Sequence, residues 1–137
     1  MRPQIYIAGP VTTGDRVENI RAACVAADTI VELGGEPVVP HDTLIREMVT
    51  PHNYDYWMDR CLFMVSRCDG LLRLDGNSYG ADLEVDDSYA NGIPVFYEMG
   101  HLHEWIEANA RPQIISAPLN GLPLNEWDGW AEGDLDG

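Results

Sequence analysis

The order of its hydrophobic runs constrains this chain more than any other feature: short β-prone stretches alternate with segments of helical period. Residues 4–8, QIYIA, form a continuous apolar run that stops at Gly9-Pro10, as a buried first strand does. Asp15, with Glu18 three positions on, resembles a capping box. Val17, Ile20, Cys24, Ala27 and Val31 then recur at helical spacing until Gly34-Gly35, which predicts an amphipathic helix with those residues on its apolar face. Residues 36–39 read as a second strand closed by Pro40, and residues 41–52, without a period, as a loop.

Farther along, Trp57, Met58, Cys61, Leu62, Met64 and Val65 fall on one broad side of a helix over residues 54–67. Residues 70–74 predict a third strand, 75–77 a turn, 80–91 a third helix, 93–97 a fourth strand and 99–109 a fourth helix. A weak fifth strand is expected at 113–117, after Pro112. Strands alternating with helices imply βαβ crossovers, hence an α/β domain over residues 1–117 with a parallel sheet of four or five strands covered on both faces. In such sheets ligands sit at the carboxyl ends of the strands.

At 137 residues the chain has room for one core. It shows neither an apolar run long enough to span a membrane nor a signal-peptide pattern, so a soluble cytoplasmic protein is expected. Cys24, Cys61 and Cys68 contain no C-x-x-C pair and read as reduced thiols. All eight basic residues are arginine, which excludes P-loop and Schiff-base lysine chemistry. A net charge of -15 repels a phosphodiester backbone, so no nucleic-acid polymer is expected as a partner. One small anion can still be held locally at a helix N-terminus.

The first and third strands should bring two loops together over the sheet: Ala8-Gly9-Pro10 and residues 75–79. In the second, Ser78 and Gly80 occupy the turn and Glu84 follows about one helical turn later. Glycine admits a ligand close to the backbone. Read from local pattern alone, Glu84 is explained as well by ordinary first-turn helix charge, and Asp82, Asp86 and Asp87 are better explained that way. Arg16 and Arg73 lie near the two loops in sequence. His101 and His103 diverge on a helix and have no third ligand at matching spacing, so no metal site is expected. Residues 118–137 are acidic, free of basic residues and broken by Gly and Pro, and read as an extended tail. Trp127 and Trp130 suggest that this tail docks, on a neighbouring subunit for instance.

Three stretches together resemble the nucleoside 2-deoxyribosyltransferase-like family, which includes the deoxynucleoside monophosphate N-glycosidases: Ile5-Tyr6-Ile7-Ala8-Gly9-Pro10; Cys68-Asp69-Gly70-Leu71-Leu72; and Ser78-x-Gly80-Ala81-x-x-Glu84 followed by Ala90-x-Gly92-Ile93-Pro94-Val95. The resemblance implies a small flavodoxin-like or Rossmann-like three-layer domain, homo-oligomeric, without a metal or organic cofactor. It also implies cleavage or exchange of the N-glycosidic bond of a 2-deoxynucleoside or its 5′-monophosphate. On it, Glu84 falls on the nucleophile and Tyr6 on a tyrosine beside it, with Ala8, Gly9, Ser78 and Gly80 lining the substrate pocket. Ser78 tilts the expectation toward a nucleotide. The family's second acid, which protonates the leaving base, falls by register on Cys61. Asp59 lies roughly 200° around the helix from Cys61 and does not replace it. His41, Asp75 or a second subunit remain as sources of the acid, and a nucleotide-binding protein without turnover remains the alternative.

Overall fold

The computed structural model describes residues 2–109. In chain order the elements are β1 (Gln4–Ala8), α1 (Arg16–Glu32), β2 (Glu36–Val38), α2 (Thr43–Val49), α3 (Tyr54–Ser66), β3 (Gly70–Arg73), α4 (Tyr79–Ala90), β4 (Val95–Phe96) and α5 (Met99–Asn109), with a 3-10 turn at Pro40–Asp42. The four strands form one parallel sheet in the order β2-β1-β3-β4. This is a three-layer α/β domain of flavodoxin-like strand order. The expected fifth strand at 113–117, the domain boundary at 117 and the tail all lie outside the described residues.

The period of two along β1 decides the layering. Ile5 and Ile7 point to one face, where Leu72, Ala23, Ala26, Ile30, Leu102 and Ile106 bring α1 and α5 onto the sheet. Tyr6 and Ala8 point to the other, against Val65, Leu71, Ala81 and Val85 from α3, β3 and α4 and against Cys68 in the connection between α3 and β3. Because the side chains alternate, the phenol of Tyr6 is delivered under α3 and α4.

Two local readings are corrected. On α1 the buried residues are Ala23, Ala26 and Ile30, with Ala27 packed partly buried beside them, whereas Val17, Cys24, Val25 and Val31 face outward and Ile20 is partly exposed. The inner face is thus turned by roughly 100°, about one residue, from the stripe of larger side chains. Alanines let the helix sit close to the sheet, and their weak hydrophobicity hides that face from a pattern search. Residues 41–52 are not all loop: Thr43 Oγ1 donates to the Pro40 carbonyl at 2.7 Å, and seven residues of helix follow. None of those seven is fully buried, so no hydrophobic period marks them. β4 is also shorter than the expected strand at 93–97.

At the end of α1, Gly34 takes a φ of +96°. At Gly35 an added Cβ would lie 2.8 Å from Ile30 Cγ2 and 3.3 Å from Ile106 Cδ1, both in the closed core between α1 and α5. Gly35→Ala is expected to lower the unfolding free energy by about 1–3 kcal/mol through overpacking, read as a lower urea midpoint at unchanged slope.

Candidate active site

The site begins with the register of α4. Ser78 is its N-cap, extended in backbone, with Oγ accepting from Ala81 N at 3.1 Å. From that start Ala81, Glu84, Val85 and Ser88 fall at i, i+3, i+4 and i+7 and all point inward. Asp82 and Asp86 stay exposed, as expected for helix-surface charge. Glu84, only 6% exposed, occupies a core position on this helix.

Glu84 shares its pocket with Tyr6 from β1 and Cys61 from α3, the groups that act on one another's ionisation there. Burial raises the Glu84 pKa to about 7, against the opposing pull of the Tyr6 phenol and the more distant Arg73 guanidinium. Burial likewise drives the Tyr6 phenol far up, with the Glu84 charge adding to it, and raises the Cys61 thiol. Tyr6 Oη and Glu84 Oε2 are buried without an aligned hydrogen-bond partner. The phenol therefore faces the carboxyl without a completed bond. A buried carboxylate oxygen without a completed hydrogen bond is costly to the fold.

Above this group opens a cavity of about 260 Å³. Glu84, Cys61 and Met58 line its inner part; Trp57, Tyr54, Tyr79 and Leu44 add apolar and aromatic wall; Thr12, Thr13, Thr43 and Ser78 contribute hydroxyls. The two loops do meet as expected, because a Cβ on Gly76, at φ +111°, would strike Pro10 Cγ at 2.8 Å. Gly80 performs the same service between helices, its missing side chain leaving room for Tyr54 Oη at 3.3 Å and Met58 Sδ at 3.6 Å.

Of the residues singled out in the sequence, Gly9, Ser78, Gly80 and Glu84 line the cavity, while Tyr6 lies beneath it at 0% exposure. Ala8 is corrected: it is fully buried among Val65, Leu71 and Ala81 and does not line the cavity. Arg16 and Arg73 do not line it either, and Arg73 braces the turn by donating to Gly76 O at 2.9 Å and pairing with Asp82. Asp59 faces outward in an ion pair with Arg60. His41, 4% exposed, is also outside the cavity wall; its Nε2–H donates to Pro10 O at 3.0 Å, and burial lowers its pKa, which keeps the ring neutral. Among the described residues no three potential metal ligands cluster. His101 and His103 pair separately with Glu98 and Glu107 along α5.

Glu47 is the residue that sequence reasoning missed. It lies on the cavity wall on α2, and its Oε2 accepts from His52 N at 2.9 Å and from the Trp57 indole. These donors hold its carboxyl below the usual range, so it is a fixed negative acceptor at neutral pH. Nothing in the local pattern at 41–52 marks it. The only sequence cue was Trp57, whose indole N–H needs an acceptor when partly buried.

The family described as domain of unknown function (DUF4406) matches residues 3–97. No curated protein matches the chain. Among solved structures, a 2-deoxyribosyltransferase from the psychrotolerant bacterium Bacillus psychrosaccharolyticus is 22% identical over 70% of this chain and 75% of that one, with a TM-score of 0.49. At that similarity it assigns no activity here.

Proposed function

The chain belongs to the DUF4406 family, whose matched span contains every cavity residue named above, and from that premise we propose that the cavity is an active site for N-glycosidic cleavage or exchange. The substrate is a 2-deoxynucleoside or its 5′-monophosphate. One observation carries this reading: a buried carboxyl, Glu84, with an unpartnered oxygen and a pKa of about 7, lies on the wall of an aromatic-lined cavity.

In the proposed reaction Glu84, ionised, attacks the anomeric carbon as the C–N bond breaks and its electron pair leaves with the base. The oxocarbenium character that develops is stabilised by the same carboxylate, giving a glycosyl ester on Glu84. Water or a second base then attacks that carbon and frees the carboxylate. The Tyr6 phenol donates to the carboxylate once it is ionised, which lowers its pKa and orients it. Trp57, Tyr54 and Tyr79 offer ring faces to a base, and Glu47 accepts from a base N–H. Gly9, Ser78 and Gly80 contact the sugar or its 5′ end. No arginine is among the described cavity residues, so a 5′-phosphate would rest on hydroxyls and on the free N–H groups at the start of α4.

The leaving base takes its proton from solvent. Cys61 is a thiol of raised pKa and Glu47 is ionised, so neither resembles a dedicated acid. The same Cys61 favours a second reading, a nucleotide-binding protein that turns over slowly or not at all. Losing general acid catalysis lowers rates by about 10²–10⁴, which leaves room for a slow enzyme. Incubation with deoxynucleosides and their monophosphates, with and without a second base, should release free base and leave a deoxyribosyl adduct on the Glu84 peptide by mass spectrometry. Tight binding with no release from any substrate would decide for the binding protein.

Tyr6→Phe tests the orienting role separately. Its hydroxyl is buried without an aligned partner, so the fold should be unharmed. Without its donor the Glu84 pKa rises, and the alkaline-going limb of the pH–rate profile should move to higher pH. The rate loss should accordingly be full at and below about pH 6, about tenfold for each unit of displacement, and should shrink by pH 9. An unchanged profile would remove Tyr6 from the mechanism.

A further inference from the structure

Besides the short α2, which exposes Ile45, Met48 and Val49, three exposed apolar surfaces lie outside the cavity among the described residues. The outer face of α1 carries Val17, Val25 and Val31 interleaved with Glu18, Asp28 and Glu32, and its Arg21 is paired with Glu18. The Tyr89–Tyr97 pair beyond β4 has Asp86 and Glu98 near it in sequence and lies close to the Arg73–Asp82 pair, whose guanidinium is already matched by a carboxylate. The third differs in charge. Tyr56, Arg60, Phe63 and Arg67 follow one another at intervals of four, three and four along α3, forming a single stripe roughly 140° around the helix from the cavity side. Arg60 lies over the Tyr56 ring at 5.2 Å and Arg67 over the Phe63 ring at 5.1 Å, and Arg46 extends the stripe from α2 by reaching Tyr56 Oη at 3.5 Å.

Phe63 is 59% exposed at the centre of this stripe. Asp59 pairs with Arg60, but among the described residues neither Arg46 nor Arg67 has a carboxylate partner. Guanidinium groups stacked on aromatic rings and lacking anions make a surface suited to a ligand that brings carboxylates together with large aromatics. The chain carries such a segment. Residues 123–137 hold Glu126, Asp128, Glu132, Asp134 and Asp136 with Trp127 and Trp130, and no basic residue.

We propose that this acidic, tryptophan-bearing segment docks on the Tyr56–Arg60–Phe63–Arg67 stripe of α3. Charge selects the surface: the α1 face and the Tyr89–Tyr97 pair present carboxylates that repel the segment, and the α3 stripe presents arginines. Reach permits it, since the seventeen residues between Asn109 and Trp127 can span up to about 55–60 Å, more than the width of a domain this size. Trp127 and Trp130 bury against Phe63 and the arginine stems while the carboxylates pair with Arg46 and Arg67.

The test uses the full chain with Trp130→benzoylphenylalanine as a photo-crosslinker, in an equal mixture of ¹⁴N- and ¹⁵N-labelled protein. Adducts should map to residues 46–67, within one chain or between two, and their yield should fall at least about fivefold with Arg60→Glu and Arg67→Glu together and comparably at about 1 M salt. Should the double variant unfold by circular dichroism, Arg67→Gln with the salt series makes the same comparison. Adducts on residues 17–31 or 86–98, no adducts, or a yield indifferent to both arginine replacement and salt would overturn the proposal. A dimer by sedimentation that the charge reversal dissociates, with no adducts, would give the stripe to a second copy and overturn it as well.

Discussion

Glu84→Gln is expected to abolish base release, by a factor of at least about 10³ in single-turnover rate at pH 8. Gln keeps the volume and the position on the inner stripe of α4 beside Ala81, Val85 and Ser88, so the cavity should retain its shape. What disappears is the anion that bonds to the anomeric carbon and screens its developing charge. Ligand affinity should change far less than rate, since a neutral sugar gains little from the carboxylate before the bond breaks. Chromatography of released base checks the first expectation and calorimetry the second. Release within tenfold of the parent protein would show that another group is the nucleophile.

The same substitution is expected to stabilise the fold at alkaline pH. Burial has raised this carboxyl from 4.5 to about 7, opposite to the usual ion-paired acid, so between those values the folded protein holds a proton that the unfolded chain has released. Stability attributable to Glu84 is fully present below about pH 4.5, falls as pH rises to about 7, and stays low above. A shift of that size corresponds to about 3 kcal/mol at pH 8, which Gln, neutral throughout, does not lose. Urea midpoints of both proteins at pH 5.5 and 8.5 provide the check: the advantage of Gln should grow by about 2 kcal/mol across that interval. Other titrating groups cancel in the difference when they do not contact Glu84. A constant difference would mean that Glu84 is solvated and ionises normally. Loss of rate with gain of stability in one variant is the mark of a group kept for chemistry at the expense of the fold.

Local signals carried much of the fold. The strand QIYIA with its stop at Gly9-Pro10, the Asp15 cap that accepts from Val17 N and Glu18 N, and the Gly34 terminus are all read from neighbours in sequence, and all stand in the structure. Ser78 was legible as the turn residue before a helix for the same reason, and its hydroxyl caps α4 as well as lining the cavity; Gly80, read as part of the turn, lies inside the first turn of α4. Where packing partners lie far apart in sequence, local reading failed. The inner face of α1 is chosen by Ile5, Ile7 and Ile106, not by the size of its own side chains. Glu47 enters the site through Trp57 and His52, across a connection with no period. Ala8 left the proposed pocket because the alternation of β1 sends it into the layer beneath α4.

By itself, then, the sequence determined the alternation of strands and helices and most of their caps and turns, because these follow from backbone periods and from groups within a few residues. Glu84 is the case that separates the two levels. Its spacing from Ser78 and Gly80 is a sequence property, yet the same spacing serves a solvated charge. Only the packing of α4 against β1 and α3 put that carboxyl beside Tyr6 and Cys61, out of water and without a partner, because desolvation is produced by residues distant in the chain.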